Sequence, residues 1–438
     1  MRYLIQTWGC QMNTHDSEKL AGILEDLGHR SVDDIRSADL LLLNTCSIRE
    51  KAEEKVFSHL GSLRPLKNLR PELIIGLCGC VAQQKGEEVF RRSQLVDFVL
   101  GPRAIASLPS ILEEVKSRRS RPMDLQKRDD SIRYDASRAH RGAGPRAFIT
   151  VMEGCNKTCT YCIVPTTRGR EVSKPAEIVL REAAALSQAG YSEVELLGQN
   201  VNAYRDGPIH LDGLLRGLQQ VDGIRRVRFT TSHPAHLSQE IISAMRECPT
   251  VCNALHLPAQ SGSDAVLERM RRGYTRRRYL DRIERLRQAV PDIGLSTDII
   301  VGYPGETRSE FDETLLLLKQ VEFDQVYSFV YSPRPGTDAV LEGNAVNRDE
   351  KEDRLHELQW VQQEIQRRRN QTLVGSVVEV LVDGFSRKGD SMLKGRTESN
   401  RVVNFSGPAS SVGEFAYVKV EAAGPNSLEG RRIEAPRS

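Results

Sequence analysis

Phe148-Ile149-Thr150-Val151-Met152-Glu153-Gly154-Cys155-Asn156-Lys157-Thr158-Cys159-Thr160-Tyr161-Cys162 decides the reading of this chain. Its first five residues are apolar or β-branched and predict a strand over 148–152. Three cysteines spaced Cys-x3-Cys-x2-Cys follow at once. Outward from there, the runs 194–197, 227–231, 254–257, 295–301 and 326–331 predict five more strands, and helical patterns such as 175–189 and 239–246 fall between them. Such alternation predicts a partial, TIM-like (β/α)6 barrel whose chemistry sits at the C-terminal ends of its strands. The cysteine loop occupies such an end.

Three thiolates can hold a four-iron cluster and leave one iron without a protein ligand. The competing reading is zinc, but structural zinc is usually closed by four protein ligands, often as two pairs. No fourth Cys or His lies close by in sequence. The spacing at a strand end resembles the radical S-adenosylmethionine (SAM) superfamily, in which the open iron binds SAM and electron transfer cleaves the sulfonium to give a radical. The other strand ends carry Gln199 and Asn200, Ser232, and Gln260. These small and polar segments are the candidate lining of a SAM cavity.

Residues 1–115 alternate apolar strands (3–8, 40–43, 73–77, 96–100) with helical patterns (15–27, 49–60, 83–90), as expected of an open parallel sheet covered by helices. Cys10, Cys46 and Cys80 each follow a strand and precede a helix. In an open α/β sheet those loops converge at one edge, so three thiols far apart in sequence can meet. Cys78, Cys248 and Cys252 read as small buried residues, the commoner fate of a free cysteine.

Four stretches, TWGCQMN, LLLNTCSIREKAEEKVFSHLG, MEGCNKTCTYCIVPTTRGRE and GRTESNRVVNF, make the chain similar to the methylthiotransferase family over nearly its whole length. The resemblance implies a second four-iron cluster on Cys10, Cys46 and Cys80, a SAM-binding cluster on Cys155, Cys159 and Cys162, and a C-terminal TRAM domain. It further implies that a methylthio group is added to C2 of N6-isopentenyladenosine at position 37 of tRNA, beside the anticodon. An aromatic C–H is neither acidic nor nucleophilic, so radical chemistry is needed. Two alternatives remain at this point. One is a sibling enzyme acting on threonylcarbamoyl-adenosine in tRNA or on a ribosomal-protein aspartate. The other is a non-catalytic RNA-binding protein with structural metal.

The remaining sequence bears on partners. Net charge is only +3, but residues 116–146 carry ten Lys/Arg against four Asp/Glu and read as a basic linker. Arg269, Arg271, Arg272, Arg276, Arg277 and Arg278 form a second basic cluster, suited to phosphates. Residues 147–370 complete the barrel domain with a long polar helix over 348–370. Short strand patterns over 371–437 predict a small antiparallel β-barrel, and its Arg387, Lys388, Lys394, Arg396 and Arg401 are candidate RNA contacts. The 39% hydrophobic and 28% charged composition is globular. No run of about 18 apolar residues suggests a membrane span, and the first residues lack a secretory pattern. A cytoplasmic monomer is expected, served by a separate electron donor and a separate sulfur donor.

Overall fold

The computed structural model describes all residues except 48–49, 119, 130–131, 133–138, 140–143, 388, 390–391 and 436–438. Strands β1 (Arg2–Trp8), β2 (Arg30–Ser31), β3 (Leu40–Thr45), β4 (Ile74–Gly79), β5 (Phe98–Leu100) and β6 (Met123–Asp124) form a parallel sheet in the order β2-β1-β3-β4-β5-β6. Its last strand comes from inside the stretch read as a basic linker. Six helices accompany the sheet: α1 (Gln11–Asp26), α2 (Glu50–Ser62), α3 (Arg64–Leu69), α4 (Cys80–Lys85), α5 (Glu88–Arg92) and α6 (Leu108–Arg118).

The two-residue period of β3 explains its unbroken leucines. Leu40 and Leu42 pack with Leu20, Leu24, Leu108 and Leu112 on one face, while Leu41 and Leu43 pack with Val56, Leu60 and Val81 on the other. Each fully buried leucine contributes roughly 1.5–3 kcal/mol. The single helix expected over 83–90 is instead two, α4 and α5, because Gly86 takes a positive φ of 50° between them.

The central domain has two parallel half-sheets. β7 (Arg146–Thr150), β10 (Glu193–Leu197) and β13 (Arg226–Phe229) make one; β14 (Ala254–His256), β15 (Gly294–Val301) and β16 (Gln325–Val330) make the other. A lone bridge between Val227 and Val251 joins them. Two small ribbons accompany the barrel, β8 (Met152–Glu153) with β9 (Val172–Ser173) and β11 (Arg205–Asp206) with β12 (Ile209–His210). Helix α7 (Val164–Arg168) follows the cysteine loop. Helices α8 (Ala176–Gln188), α9 (Leu211–Leu218), α10 (Gln239–Glu247), α11 (Asp264–Arg269), α12 (Arg276–Ala289) and α13 (Arg308–Val321) lie between the strands. The last helix, α14 (Arg348–Gln371), packs Leu358, Val361 and Ile365 into the same core. No helix among the described residues is long and apolar enough to cross a membrane.

β17 (Val377–Phe385), β18 (Met392–Arg396), β19 (Val402–Ser406), β20 (Phe415–Ala423) and β21 (Leu428–Ile433) close into a barrel in the order β17-β18-β19-β21-β20. Two features differ from the expected antiparallel barrel. A fifth strand, β21, closes it, and β19 and β21 run parallel. β21 reads LEGRRI, too polar to stand out as a strand.

The barrel docks on the central domain through arginines. Arg226 Nη1 donates to the Arg396 carbonyl at 2.8 Å, and Arg228 donates to the Glu398 and Thr397 carbonyls at 2.7 Å each. Arg401 donates to Asp324, to Asn370 Oδ1 at 3.2 Å and to Ser399 Oγ at 2.8 Å. The guanidinium of Arg401, expected among the RNA contacts, is thus engaged in domain docking. Arg396 is engaged too, with Asn400 Oδ1 at 3.1 Å and Asp383 Oδ2 at 3.3 Å. Arg387 is exposed and Lys394 half-buried, while Lys388 lies outside the described residues.

Candidate functional site

The loop after β7 and β8 is shaped by Gly154, whose φ of 81° suits glycine. A Cβ there would run into the Arg170 carbonyl. Cys155 N–H donates to the Gly169 carbonyl at 3.0 Å, and Cys162 N–H to that of Cys159 at 3.0 Å. Gln199 Oε1 accepts from Gly154 N–H at 2.5 Å, so this residue, expected to line the cavity, holds the cysteine loop in place. Thr160 ties the loop to the far side of the barrel, through Arg269 O at 3.0 Å and Tyr303 OH at 2.8 Å.

Arg272 changes role. It is buried, and its Nη1 donates to Cys159 Sγ and Tyr161 OH, both at 3.3 Å. Its Nη2 reaches the Pro258 carbonyl at 3.1 Å and its Nε the Tyr274 hydroxyl at 3.2 Å. Arg269 makes a two-pronged pair with Glu310, and Arg271 pairs with Asp338. Arg272 and Arg269 of the basic cluster are thus engaged within the protein, while Arg271, though paired with Asp338, is exposed, as are Arg277 and Arg278. Burial pushes the Cys155 thiol up and the Cys162 thiol up to about 12. A metal that binds them as thiolates must displace protons.

Cys10, Cys46 and Cys80 follow β1, β3 and β4, three adjacent strands of one parallel sheet. Their loops come together tightly: a Cβ on Gly9 would fall 2.5 Å from Cys46 Cβ. Gly79, with φ 89°, turns the chain so that Cys80 opens α4. Buried Asn13 and Asn44 brace these turns. Asn44 Nδ2 donates to Asn13 O and Ser17 Oγ at 2.8 Å each, and Asn13 Nδ2 to Asn44 Oδ1 at 3.2 Å. Cys10 Sγ donates to Asn13 Oδ1 at 3.3 Å. A hydrogen bond from Cys46, aided by the positive charge of Arg168, holds the Cys10 thiol down to about 6, whereas burial raises that of Cys80. Cys78 packs with Phe98 and Leu100 in the apolar core, and burial pushes it up to about 12. Cys248 and Cys252 are buried as well.

Between the loop and the barrel lie polar atoms without partners. Asn200 Oδ1, Ser232 Oγ and His233 Nε2 are buried and unbonded. Asn200 Nδ2 does donate, to Glu171 at 3.1 Å. His233 Nδ1 accepts from Ala235 N–H at 3.2 Å, which leaves Nε2 to carry the ring proton. Burial, with Arg272 nearby, pushes its pKa down to about 2, so the ring is neutral. Gln260, with φ 72°, sits beside β15, its N–H bonded to Asp298 O at 2.8 Å. Buried donors and acceptors left open at neighbouring strand ends fit a polar ligand. Each thiol trio likewise fits a cubane, in which every thiolate serves a different iron. Among the described residues no three His, Cys, Asp or Glu side chains converge on a single ion.

Residues 2–101 match Uncharacterized protein family UPF0004, residues 149–318 the Radical SAM superfamily and residues 371–433 the TRAM domain. A tRNA-2-methylthio-N(6)-dimethylallyladenosine synthase of Methylococcus capsulatus is 48% identical over 438 residues, covering 98% of this chain and 95% of that protein. The chain belongs to the tRNA-2-methylthio-N(6)-dimethylallyladenosine synthase family. Synthases of that name from Photorhabdus laumondii (47% identical; 98% of this chain, 91% of that protein) and Yersinia pestis (48%; 97% and 91%) are similar to it. Membership in this radical SAM family implies SAM and a [4Fe-4S] cluster. Among solved structures, the radical SAM methyltransferase TsrM of Kitasatospora setae shares the fold, with a TM-score of 0.56 at 14% identity over 78% of this chain and 74% of that one. The cobalamin-dependent SAM radical enzyme OxsB does so with a TM-score of 0.51 at 12% identity over 81% and 56%.

Arg168, Arg272 and His233, which stand beside the cysteine loops and strand ends, were not named from the sequence as candidates for this site. Arg168 and His233 stand inside stretches singled out for other reasons. Their partners, such as Asp16 for Arg168, are distant in sequence and had no local signal.

Proposed function

We infer that this chain is a radical SAM methylthiotransferase that adds a methylthio group to C2 of N6-isopentenyladenosine at position 37 of tRNA. In this reading Cys155, Cys159 and Cys162 hold the [4Fe-4S] cluster that coordinates SAM, and Cys10, Cys46 and Cys80 hold a second. The observation that carries it is the bracket around α7. Cys162 stands just before that helix, Arg168 at its end bonds Asp16 of α1, the helix that follows Cys10, and α7 packs on α4, which opens with Cys80. In this reading the centre that supplies sulfur and the centre that supplies the radical act on one carbon, and a single short helix links them.

When bound, the SAM cluster supplies the electron that cleaves SAM and so the radical able to attack an unactivated C–H bond. The chain's own residues do the rest. Gln199 and Gly154 fix the cysteine loop, while Asn200, Ser232 and His233 bind and orient SAM with their open polar atoms, joined by Gln260 beside β15. The target base must leave its stack to reach the cavity, which costs less in an anticodon loop than in a duplex. Arg387, Lys394 and the basic residues of 116–146 contact the RNA backbone. The enzyme works as a cytoplasmic monomer supplied with electrons and sulfur from outside.

Nucleoside mass spectrometry tests the substrate. An isopentenylated anticodon stem–loop incubated with reconstituted enzyme, SAM, dithionite and sulfide should gain a methylthio group at adenine C2. Modification only of a threonylcarbamoyl-adenosine stem–loop would move the chain to the sibling activity. Zinc in place of iron, with no SAM cleavage, would favour the non-catalytic alternative.

A further inference from the structure

Arg168 is 2% exposed, yet its Nη1 has no hydrogen-bond partner. Its Nη2 is bonded to Asp16 Oδ2 at 2.6 Å. A buried guanidinium nitrogen left open is costly unless something anionic meets it. The helix that carries it, α7, packs on α4, the helix that opens with Cys80. The arginine also acts electrostatically on Cys10. It therefore stands at the N-terminal trio although the chain places it just beyond Cys162.

The anchoring is deliberate on both sides. Arg103, from the N-terminal domain, is also buried and donates through Nη1 to the carbonyls of Arg168 at 3.2 Å and Arg170 at 3.3 Å. Lys19 and Arg103 flank Glu153 at 3.6 and 3.8 Å across the same seam. The charges facing Arg168 are thus Asp16 and Glu153 as anions and Lys19 and Arg103 as cations. Of these charges Asp16 touches it at bonding distance, and the Cys80 thiol is a further hydrogen-bond partner of the guanidinium.

We propose that Arg168 is a positioning residue of the Cys10/Cys46/Cys80 centre, a cation lent by the SAM-binding domain that meets the second cluster and raises its reduction potential. This rests on the reading that the trio holds a [4Fe-4S] cluster. Such a cluster with three thiolates is a net anion, and more so when reduced. A fixed positive charge and a hydrogen bond toward its sulfurs favour the reduced form. Asp16 opposes that effect by offsetting part of the charge. The second centre is consequently complete only when the two domains are docked.

The test uses the full chain carrying Cys155→Ala, Cys159→Ala and Cys162→Ala, so that only the N-terminal centre remains. Iron is counted after anaerobic reconstitution, and the one-electron midpoint potential is measured by mediated titration with electron paramagnetic resonance. Arg168→Gln should shift the potential negative and Asp16→Asn should shift it positive, with Arg168→Lys closer to the parent than Arg168→Gln. Opposite signs are the signature, since loosened packing would move both variants alike. About four irons per chain with no shift, or with shifts of one sign, overturns the inference alone. Absence of iron from the parent overturns the two-cluster reading and this inference with it. If Arg168→Gln fails to hold iron, Asp16→Asn decides: a positive shift supports the proposal, and none or a negative one overturns it.

Discussion

Arg168 and Arg272 are both buried cations beside a thiol trio, but their companions differ. Arg168 has a carboxylate at bonding distance, Asp16. Arg272 has none among the described residues; its partners are the Cys159 sulfur, two phenols and a backbone carbonyl. A buried charge without a counter-charge costs several kcal/mol. On the proposed reading, the charge of Arg168 is partly offset by Asp16 before a cluster arrives, whereas that of Arg272 would be offset only when the neighbouring thiols ionise onto iron. Cluster loading should thus order the SAM-binding corner more than the N-terminal one.

The largest effect that would sharpen this contrast comes from Arg272→Gln. Removing a direct partner of a ligand sulfur should lower SAM cleavage by about 10–100-fold, with Arg272→Lys intermediate, read as 5′-deoxyadenosine released per cluster. Wild-type rates in Arg272→Gln would break the comparison.

Thiol chemistry in the iron-free protein gives a second, smaller contrast. Cys10 is held to about 6 and Cys162 pushed up to about 12. Alkylation of Cys10 should rise as pH passes through 6 and level off by neutrality, because the thiolate reacts. Cys162 should stay unlabelled at neutral pH and react only as the solution becomes strongly alkaline. Peptide mass spectrometry after brief iodoacetamide exposure reads both, and equal labelling at neutral pH would contradict the assigned environments.

The smallest effects separate the two arginine types of the C-terminal barrel. Arg401→Ala removes one of the two arginines that pair with Asp324, Arg369 being the other, together with the bonds to Asn370 and Ser399, and should cost about 1–3 kcal/mol of stability, visible as a lower melting temperature. Arg387→Ala should leave stability within about 0.5 kcal/mol and reduce the salt dependence of tRNA binding by about one counterion. The reverse pattern would return Arg401 to the RNA surface.

These residues mark where sequence is readable and where it is not. The leucines of β3 and the apolar runs of the barrel announce themselves because a parallel strand covered on both faces is apolar nearly throughout. The six strands of the central domain were legible for that reason. The cysteine trios were visible through spacing and through their common place after strands. Strand β21 was not, since a short closing strand with two arginines has no such run. Nor were the fates of the arginines. Arg272, Arg387 and Arg401 look alike in sequence, yet one is buried against a thiol, one is exposed and one locks two domains together. Only the positions of Cys159 and Asp324 in space distinguish them. The left-handed turn at Gly86, which splits the helix expected over 83–90, was likewise hidden in a helical pattern.

Iron and acid-labile sulfide counted after anaerobic reconstitution, in the wild type and in the two triple Cys→Ala variants, test the two-centre account most directly. The account predicts about eight irons per chain in the wild type and about four in each variant, with SAM cleavage kept only where Cys155, Cys159 and Cys162 remain. About four irons in the wild type, unchanged by replacing Cys10, Cys46 and Cys80, would contradict it.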